Sequence, residues 1–483
     1  MNEQFRIAHK TGLMFRSDEE IPEDIETWLT QQLIESSPAL GIPKVPGNVA
    51  EWPDELQPDL NQRAMMWRRF KALDEQAERG INGQDSEAAK RANDENNKTE
   101  RLDEHKFVHR NVYGADQVKL RLTAFWANHF TTGNVGENGN AIGHAIDEGI
   151  LGKLDGDFSN LLYGMITHPA MLRYLDNVDS AGERSNRVKW ERKDGRQAGL
   201  NDNLGRELLE LHTVSVNAGY IEKDIKGAAN VLAGWGSYFS SDLRTMREET
   251  GNTDHWNSFK KDWHEPGNKT VLGKKIYSGR KGLRQLTDFL ASHESTINHL
   301  SIKLAQHFVS DEPTAEQIQA IENVWRSSGG DLPKIHLKVL QLASESMEPK
   351  FVWPMTWLFQ VVRLSGATYF KGWKDIYNDD DRLMDTQQVL TELGQSFWSR
   401  RQPDGYSSEK AEWLSSEMFE RRVRFADAIY QQGDPQLKQA SMIMARIGAS
   451  KETQALVASV GSSGRDQFIA LMCSPELMGL KYV

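Results

Sequence analysis

Three carboxylates, an arginine and a histidine crowd the run Asn201-Asp202-Asn203-Leu204-Gly205-Arg206-Glu207-Leu208-Leu209-Glu210-Leu211-His212-Thr213. With Asn201 as cap, a helix places Leu204, Leu208 and Leu211 at i, i+4 and i+7, a stripe that faces a core. At about 100° per residue, Glu207 lies about 40° from Leu211 around that helix, so its carboxylate is driven toward partial burial. Asn203, Glu207 and Glu210 share the neighbouring face at the same spacing. A half-buried carboxylate needs a cation, a metal or hydrogen-bond donors. Two readings follow. In one, Arg206 pairs with Glu210 and Glu207 meets an arginine or a backbone amide of another helix, as a structural brace. In the other, Glu207 and Glu210, with His212, form a metal-binding or acid–base cluster. The Glu-x-x-His pair of ferritin-like di-iron helices is absent, because His212 follows Glu210 too closely.

Other segments carry similar chemistry. His264-Glu265-Pro266-Gly267-Asn268-Lys269 packs an imidazole, a carboxylate and an ammonium into a tight turn, which either presents them to a ligand or satisfies its own hairpin. His129 follows Phe125 and Trp126 on an apolar helix face, the setting of a core histidine that donates to a carbonyl, or of a ligand. His144 and Glu148 stand at i, i+4, a spacing suited to a metal or to a surface pair. His168-Pro169 marks a helix boundary, since proline disfavours helix in the residue before it. The basic segment Gly182 to Gly199, with Arg184, Arg187, Lys189, Arg192, Lys193 and Arg196 around Trp190, is a candidate lid or anion-binding loop, or a solvated surface loop. Tyr220 and Asp224 lie one turn apart, close enough in sequence to reach the Asn201 helix, and Asp224 suits the positive end of the helix that follows.

The elements that must hold these groups are helical. Apolar spacing gives helices from Ile25 to Leu33, Val118 to Phe130, Gly282 to Ala291, Thr296 to Val309 and Ala315 to Ser327. Gly251 to Ile276 is extended and turn-rich, the place for a small β-hairpin. Asp74 to Lys106 is dense in charge and amide with almost no large apolar residue, and reads as a solvated helix or insertion. Phe351, Trp353 and Trp357 around Pro354 suit core packing or an apolar interface.

Composition sets the outer bounds. The 483 residues, 38% hydrophobic and 26% charged, describe an ordinary soluble globular chain. A net charge of −11, from 58 basic and 69 acidic residues, argues against broad capture of nucleic acid or anionic lipid. Cys473 stands alone, so Cys-x-x-Cys zinc and redox patterns are excluded and any metal uses nitrogen and oxygen ligands. No segment has the length and apolarity of a membrane span, and the first residues lack the apolar core of a secretory leader. As written the chain reads as cytoplasmic, and an exported protein stripped of its leader would read the same. Phosphate-loop, His-Glu-x-x-His and Gly-x-Ser-x-Gly motifs are all missing.

Several motifs in one order carry a resemblance: Arg121 to Phe130, His168 to Asn177, Asn201 to His212, Gly219 to Asp224, Leu232 to Trp235, His264 to Lys269, Leu272-Gly273, Lys303 to Val309, Leu393-Gly394-Gln395 and Pro403-Asp404-Gly405-Tyr406. Together they resemble the bacterial domain-of-unknown-function family 1800, nearly end to end. The resemblance implies one large, mostly helical domain, often encoded beside a sulfatase-like protein, with some relatives exported, and no established activity. Against the family pattern Ile221 stands for a capping threonine, a cap worth about 1 kcal/mol. Gly205 stands for alanine, and Glu265 for aspartate.

The sequence thus predicts an all-α fold, a single helical domain over 1–483 with a small β-hairpin insertion and a charged, solvated segment over 74–106. The leading function is an enzyme with a carboxylate/histidine site. Glu207, Glu210, His264 and Glu265 hold a divalent metal or share acid–base work on a polar substrate, and Arg206 and Lys269 supply positive charge beside Glu207 and Glu210. The alternative is a noncatalytic helical scaffold, an accessory partner of the sulfatase-like protein, in which the same charges are braces.

Overall fold

The computed structural model describes residues 1–34, 57–79, 83–134, 139–237, 257–367, 386–396, 398–431 and 435–482. Helices dominate, and the spacing that predicts them is realised as Ile25–Ile34, Gln117–His129, Arg280–Ala291, Glu294–Phe308 and Ala315–Ser328. The Gln117–His129 helix is buried along its whole length, polar residues included, so it runs through the interior. One apolar cluster extends from Phe5 to Met478, with Trp126, Trp235, Trp325 and Trp357 wholly enclosed. Phe351 and Trp353 are buried as well, beside Trp413, which makes the aromatic set around Pro354 core packing. Among the described residues no helix is long and apolar enough to cross a membrane.

Strand structure among the described residues is confined to two small antiparallel pairs. Trp235–Ser237 pairs with Asn257–Phe259, and Lys269–Val271 with Lys274–Ile276. The second pair is the hairpin predicted for 251–276; residues 251–256 of that stretch lie outside the described residues. Its turn places Leu272 at φ 48° and Gly273 at φ 74°, and two successive positive φ values match the twist of a tight hairpin. Leu272 tolerates this backbone because its N–H is held by Asp224 Oδ1 at 2.7 Å. Asp224 Oδ2 accepts the N–H of Ile221 at 3.0 Å, so one carboxylate both caps the Glu222–Leu232 helix and docks the hairpin on it.

Burial in the charged stretch 74–106 is graded. Two helices, Leu60–Glu78 and Gly83–Tyr113, carry most of it, with residues 80–82 outside the described set. Its first part is mostly exposed or half-buried. Its last residues are not solvated: Asp103, Glu104 and Lys106 are buried. Asp103 and Lys106 enter the interior as ion pairs, with Arg63 and Asp147 respectively, the form in which charge tolerates burial.

Candidate functional site

The Asn203–Glu210 helix starts one residue later than an Asn201 cap predicts, with Asp202 in the N-cap position, while Asn201 Oδ1 accepts the N–H of Asn203 at 3.0 Å. Leu204, Leu208 and Leu209 are buried, while Leu211 is only half-buried. Gly205 faces the Glu222–Leu232 helix so closely that a Cβ there would stand 2.6 Å from the backbone N of Ala229. Arg206 fans over the outer face toward Asp202 at 3.5 Å, Glu210 at 3.5 Å and Glu222 at 3.4 Å, the bracing predicted for it. Glu207 differs. It is half-buried, and among the described residues no cation or donor bonds its carboxylate. Burial above all, then the charge of Glu210, holds its carboxyl above the usual carboxylate range. The Tyr220 hydroxyl, hydrogen-bonded to Glu210, is pushed up to about 12, mainly by burial.

The His264–Lys269 turn is closed on itself. His264 Nε2 accepts the N–H of Gly279 at 3.0 Å and lies 2.9 Å from Lys269 Nζ. An amide can only donate, so Nδ1 carries the proton and donates to Ala233 O at 2.9 Å. Burial lowers this imidazole to about 4. Lys269 also donates to Glu265 O at 2.5 Å, and burial brings it down to about 8. Glu265 accepts from the Arg184 backbone N–H at 2.9 Å and from Arg184 Nε at 2.6 Å. The basic segment before the Asn203 helix is likewise engaged. Its Asn186–Lys193 helix buries Glu191, which pairs with Arg187 at 2.7 Å and Arg196 at 2.8 Å, and Arg187 lies over Trp263.

Glu207 and Glu210 therefore lie together, as do His264 and Glu265, but no hydrogen bond or ion pair joins one couple to the other. Among the described residues no group of three or more His, Cys, Asp and Glu side chains is disposed to hold a metal ion. His264 has both ring nitrogens engaged and Glu265 is bound to Arg184, so these residues do not fit a common divalent-metal centre with Glu207. His144 meets His168, ring nitrogens 3.2 Å apart. The backbone after it, Ala145–Ile150, is a π-helix, whose wider turn takes Glu148 off the face an α-helix would give it. His168 caps the Pro169–Tyr174 helix, as its Pro169 neighbour predicts.

A second set of groups packs around His212, just past the end of the Glu207 helix, and sequence reasoning missed it. His299, Lys303 and His307 recur at i, i+4 and i+8 on the Glu294–Phe308 helix. Lys303 Nζ donates to His129 Nδ1 at 3.2 Å, and His129 Nε2 donates to His212 O at 3.2 Å, so His129 is the carbonyl-bound core histidine its surroundings predict. Among the described residues Lys303 touches no carboxylate. Burial brings it down to about 8, opposed only by the charge of Asp404. His299 falls to about 4 and His212 to about 3, burial first and Lys303 next in both. Both His212 ring nitrogens, and His299 Nε2, are buried without a partner among the described residues.

Asp404 links the two sets, because its charge acts on Glu207, Lys303 and Tyr174 alike. Its loop is pinned to the end of the Gln117–His129 helix: Asn128 Oδ1 accepts the Tyr406 N–H at 2.7 Å and Asn128 Nδ2 donates to Tyr406 O at 3.0 Å. Arg400 pairs with Asp404 at 3.0 Å and lies over the Tyr406 ring. Its carbonyl accepts from the Tyr174 hydroxyl at 3.2 Å. Behind Arg400 and Tyr406 sits a chamber of about 10 Å³, room for about one water. The signal for this second set was the i, i+4, i+8 recurrence after His299; nothing in the spacing ties it to Asp404, a hundred residues on.

A family model described as "Protein of unknown function (DUF1800)" matches residues 17–478. No curated protein and no solved structure matches the chain.

Proposed function

The chain belongs to the DUF1800 family, whose description assigns no reaction, and from that premise we propose that it is an enzyme performing general acid–base chemistry on a polar substrate at the Glu207–Lys303 face. One observation carries this reading: a carboxyl held up and an amine held down, both by burial and both within the field of Asp404. Structural ion pairs push these groups the other way, whereas opposed displacements of a titratable pair are the usual condition of an acid and a base that work near neutral pH. Glu207 is the general acid. Lys303, hydrogen-bonded to His129 Nδ1, is the base. Arg206 and Glu210 set the charge around Glu207. Lys269, His264 and Glu265 leave the catalytic set, because their hydrogen bonds hold the hairpin, and no step is routed through a metal.

The test joins a titration to an activity screen. Carboxyl-detected NMR should show Glu207 titrating above the ordinary carboxylate range. Once a turnover is found across hydrolase, lyase and isomerase substrates, Glu207→Gln should lower kcat at least about a hundredfold, the usual worth of a positioned acid, with the melting temperature nearly unchanged. An ordinary Glu207 titration together with undiminished turnover overturns the assignment. The noncatalytic reading, a helical partner of a sulfatase-like protein, draws support from the Arg206 fan, a plain surface brace. It predicts that Glu207→Gln changes stability alone and that the protein is recovered in a stable heterocomplex.

A further inference from the structure

Resting on that acid–base reading and deepening it, we propose that Lys303 is a covalent nucleophile and that the substrate class is a small polar carbonyl compound, which it binds as an imine. The geometry is that of an amine left free to react. Among the described residues its one hydrogen-bond partner is His129 Nδ1, a neutral acceptor, and none of their carboxylates lies within ion-pair distance to fix it as ammonium. A lysine so placed loses its proton readily, and a half-buried neutral amine is the form that attacks carbonyl carbon. The lowering of Lys303 by burial agrees with this geometry.

The groups around it suit both halves of the reaction. The nitrogen lone pair adds to the carbonyl carbon, a C–N bond forms, and the carbonyl oxygen takes the proton of Glu207 to become a hydroxyl. His129 Nδ1 receives the proton lost by nitrogen. His129 hands that proton on to the hydroxyl, water leaves as the C=N bond closes, and the remaining N–H proton passes back to Glu207. One amine and one carbonyl give one imine and one water, with no change of oxidation level. Lys269 makes a control within the same chain, since it also sits against an imidazole but is held by Glu265 O as well.

The experiment uses the intact protein with glyoxylate as probe and cyanoborohydride to reduce any imine to a stable secondary amine, followed by peptide mapping. Lys303 should be modified at least about ten times faster than the exposed Lys334, as a larger neutral fraction at pH 7 requires. Its rate should rise with pH and level off above about 8. His129, His212, His299, His307 and Asp404 are the titratable groups around it, and the imidazoles among them stay neutral through that range. Lys303→Arg, which keeps the charge, should reduce the fast phase to background. If Lys303 reacts no faster than Lys334 while Glu207 still titrates high, the imine falls and the acid–base reading stands. The comparison is made within the unaltered chain, so misfolding of a variant cannot decide it.

Discussion

The chain contains the same contact twice, a lysine against a histidine ring, with opposite surroundings. At Lys269 and His264 every hydrogen-bonding group has a partner: Ala233 O, the Gly279 N–H, Glu265 O, and Arg184 behind Glu265. At Lys303 and His129 the network stops short. Among the described residues Lys303 has no carboxylate, His212 has two ring nitrogens without a partner, and Glu207 has no cation in contact. Buried polar groups are nearly always paired, and the exceptions call for an explanation. A closed network stabilises, whereas an open one holds groups in reactive states. Strong pKa displacement alone does not separate the two regions, since both lysines are brought down to about 8; the completeness of the hydrogen bonding does.

The sharpest test of that contrast removes one group from each region. His264→Phe leaves Ala233 O, the Gly279 N–H and the Lys269 ammonium without their partner in a buried site, and should cost about 3 kcal/mol in denaturant unfolding. Asp404→Ala removes an exposed carboxylate paired with Arg400, and should change stability by no more than about 0.5 kcal/mol while altering the titration of Glu207. Equal losses at the two positions would erase the distinction between brace and site.

A smaller loss is expected at the hinge that positions Asp404. Gly405 has φ 72°, and a Cβ there would stand 2.4 Å from Asn128 O. Gly405→Ala should cost about 2 kcal/mol through backbone strain and the shift of a rigid neighbour, and should slow the labelling of Lys303 in the same step. Retained stability with unaltered labelling would show that Asp404 is not held by this contact.

What the sequence reveals divides along the same line. The helices, the hairpin and the Arg206–Glu210 pair follow from local spacing, because each depends on residues within a turn or two of one another. The partial burial of Glu207 also follows from helix periodicity. The grouping of Glu207 with His264 and Glu265 does not survive, since both motifs are rich in ionisable groups but only tertiary packing decides which of them meet. Lys303 stood in a recognised motif without a role, and Asp404 in another. The place of Asp404 depends on the Asn128 side chain pairing with the Tyr406 backbone across 278 residues, which no periodicity encodes.

Lys303→Met carries the comparison into pH. Burial lowers Lys303 to about 8 from the 10.5 of an ordinary lysine. The unfolded chain therefore binds more protons than the folded one between pH 8 and 10.5, and this group makes stability rise across that window. Below pH 8 the fold carries an ammonium with no counter-ion among the described residues. Methionine should therefore stabilise the protein at pH 7 by about 1 kcal/mol, allowing for solvent screening of a half-buried group, and the gain should fade as pH climbs through 8 to 10.5. A loss at pH 7, measured by calorimetry on both proteins, would mean that Lys303 is a brace after all.

The smallest effect lies at Ile221, where a helix cap is incomplete for a reason unrelated to either lysine. Ile221 occupies the N-cap of the Glu222–Leu232 helix in extended conformation, with its side chain 61% exposed. Asp224 returns one half of a capping box by accepting the Ile221 N–H, but a hydrocarbon side chain accepts nothing from the N–H of Asp224. That amide is close to its partner only through Ile221 O, at 2.7 Å. Ile221→Thr supplies the missing acceptor in a backbone already shaped for it, and removes an exposed apolar surface. The gain should be about 0.5–1 kcal/mol, with labelling of Lys303 and the titration of Glu207 unchanged. Because Asp224 also holds the Leu272 N–H, a gain in stability that also altered Lys303 would show that the capped helix, the hairpin and the open site move as one unit; a gain confined to stability would leave the brace and the site separable.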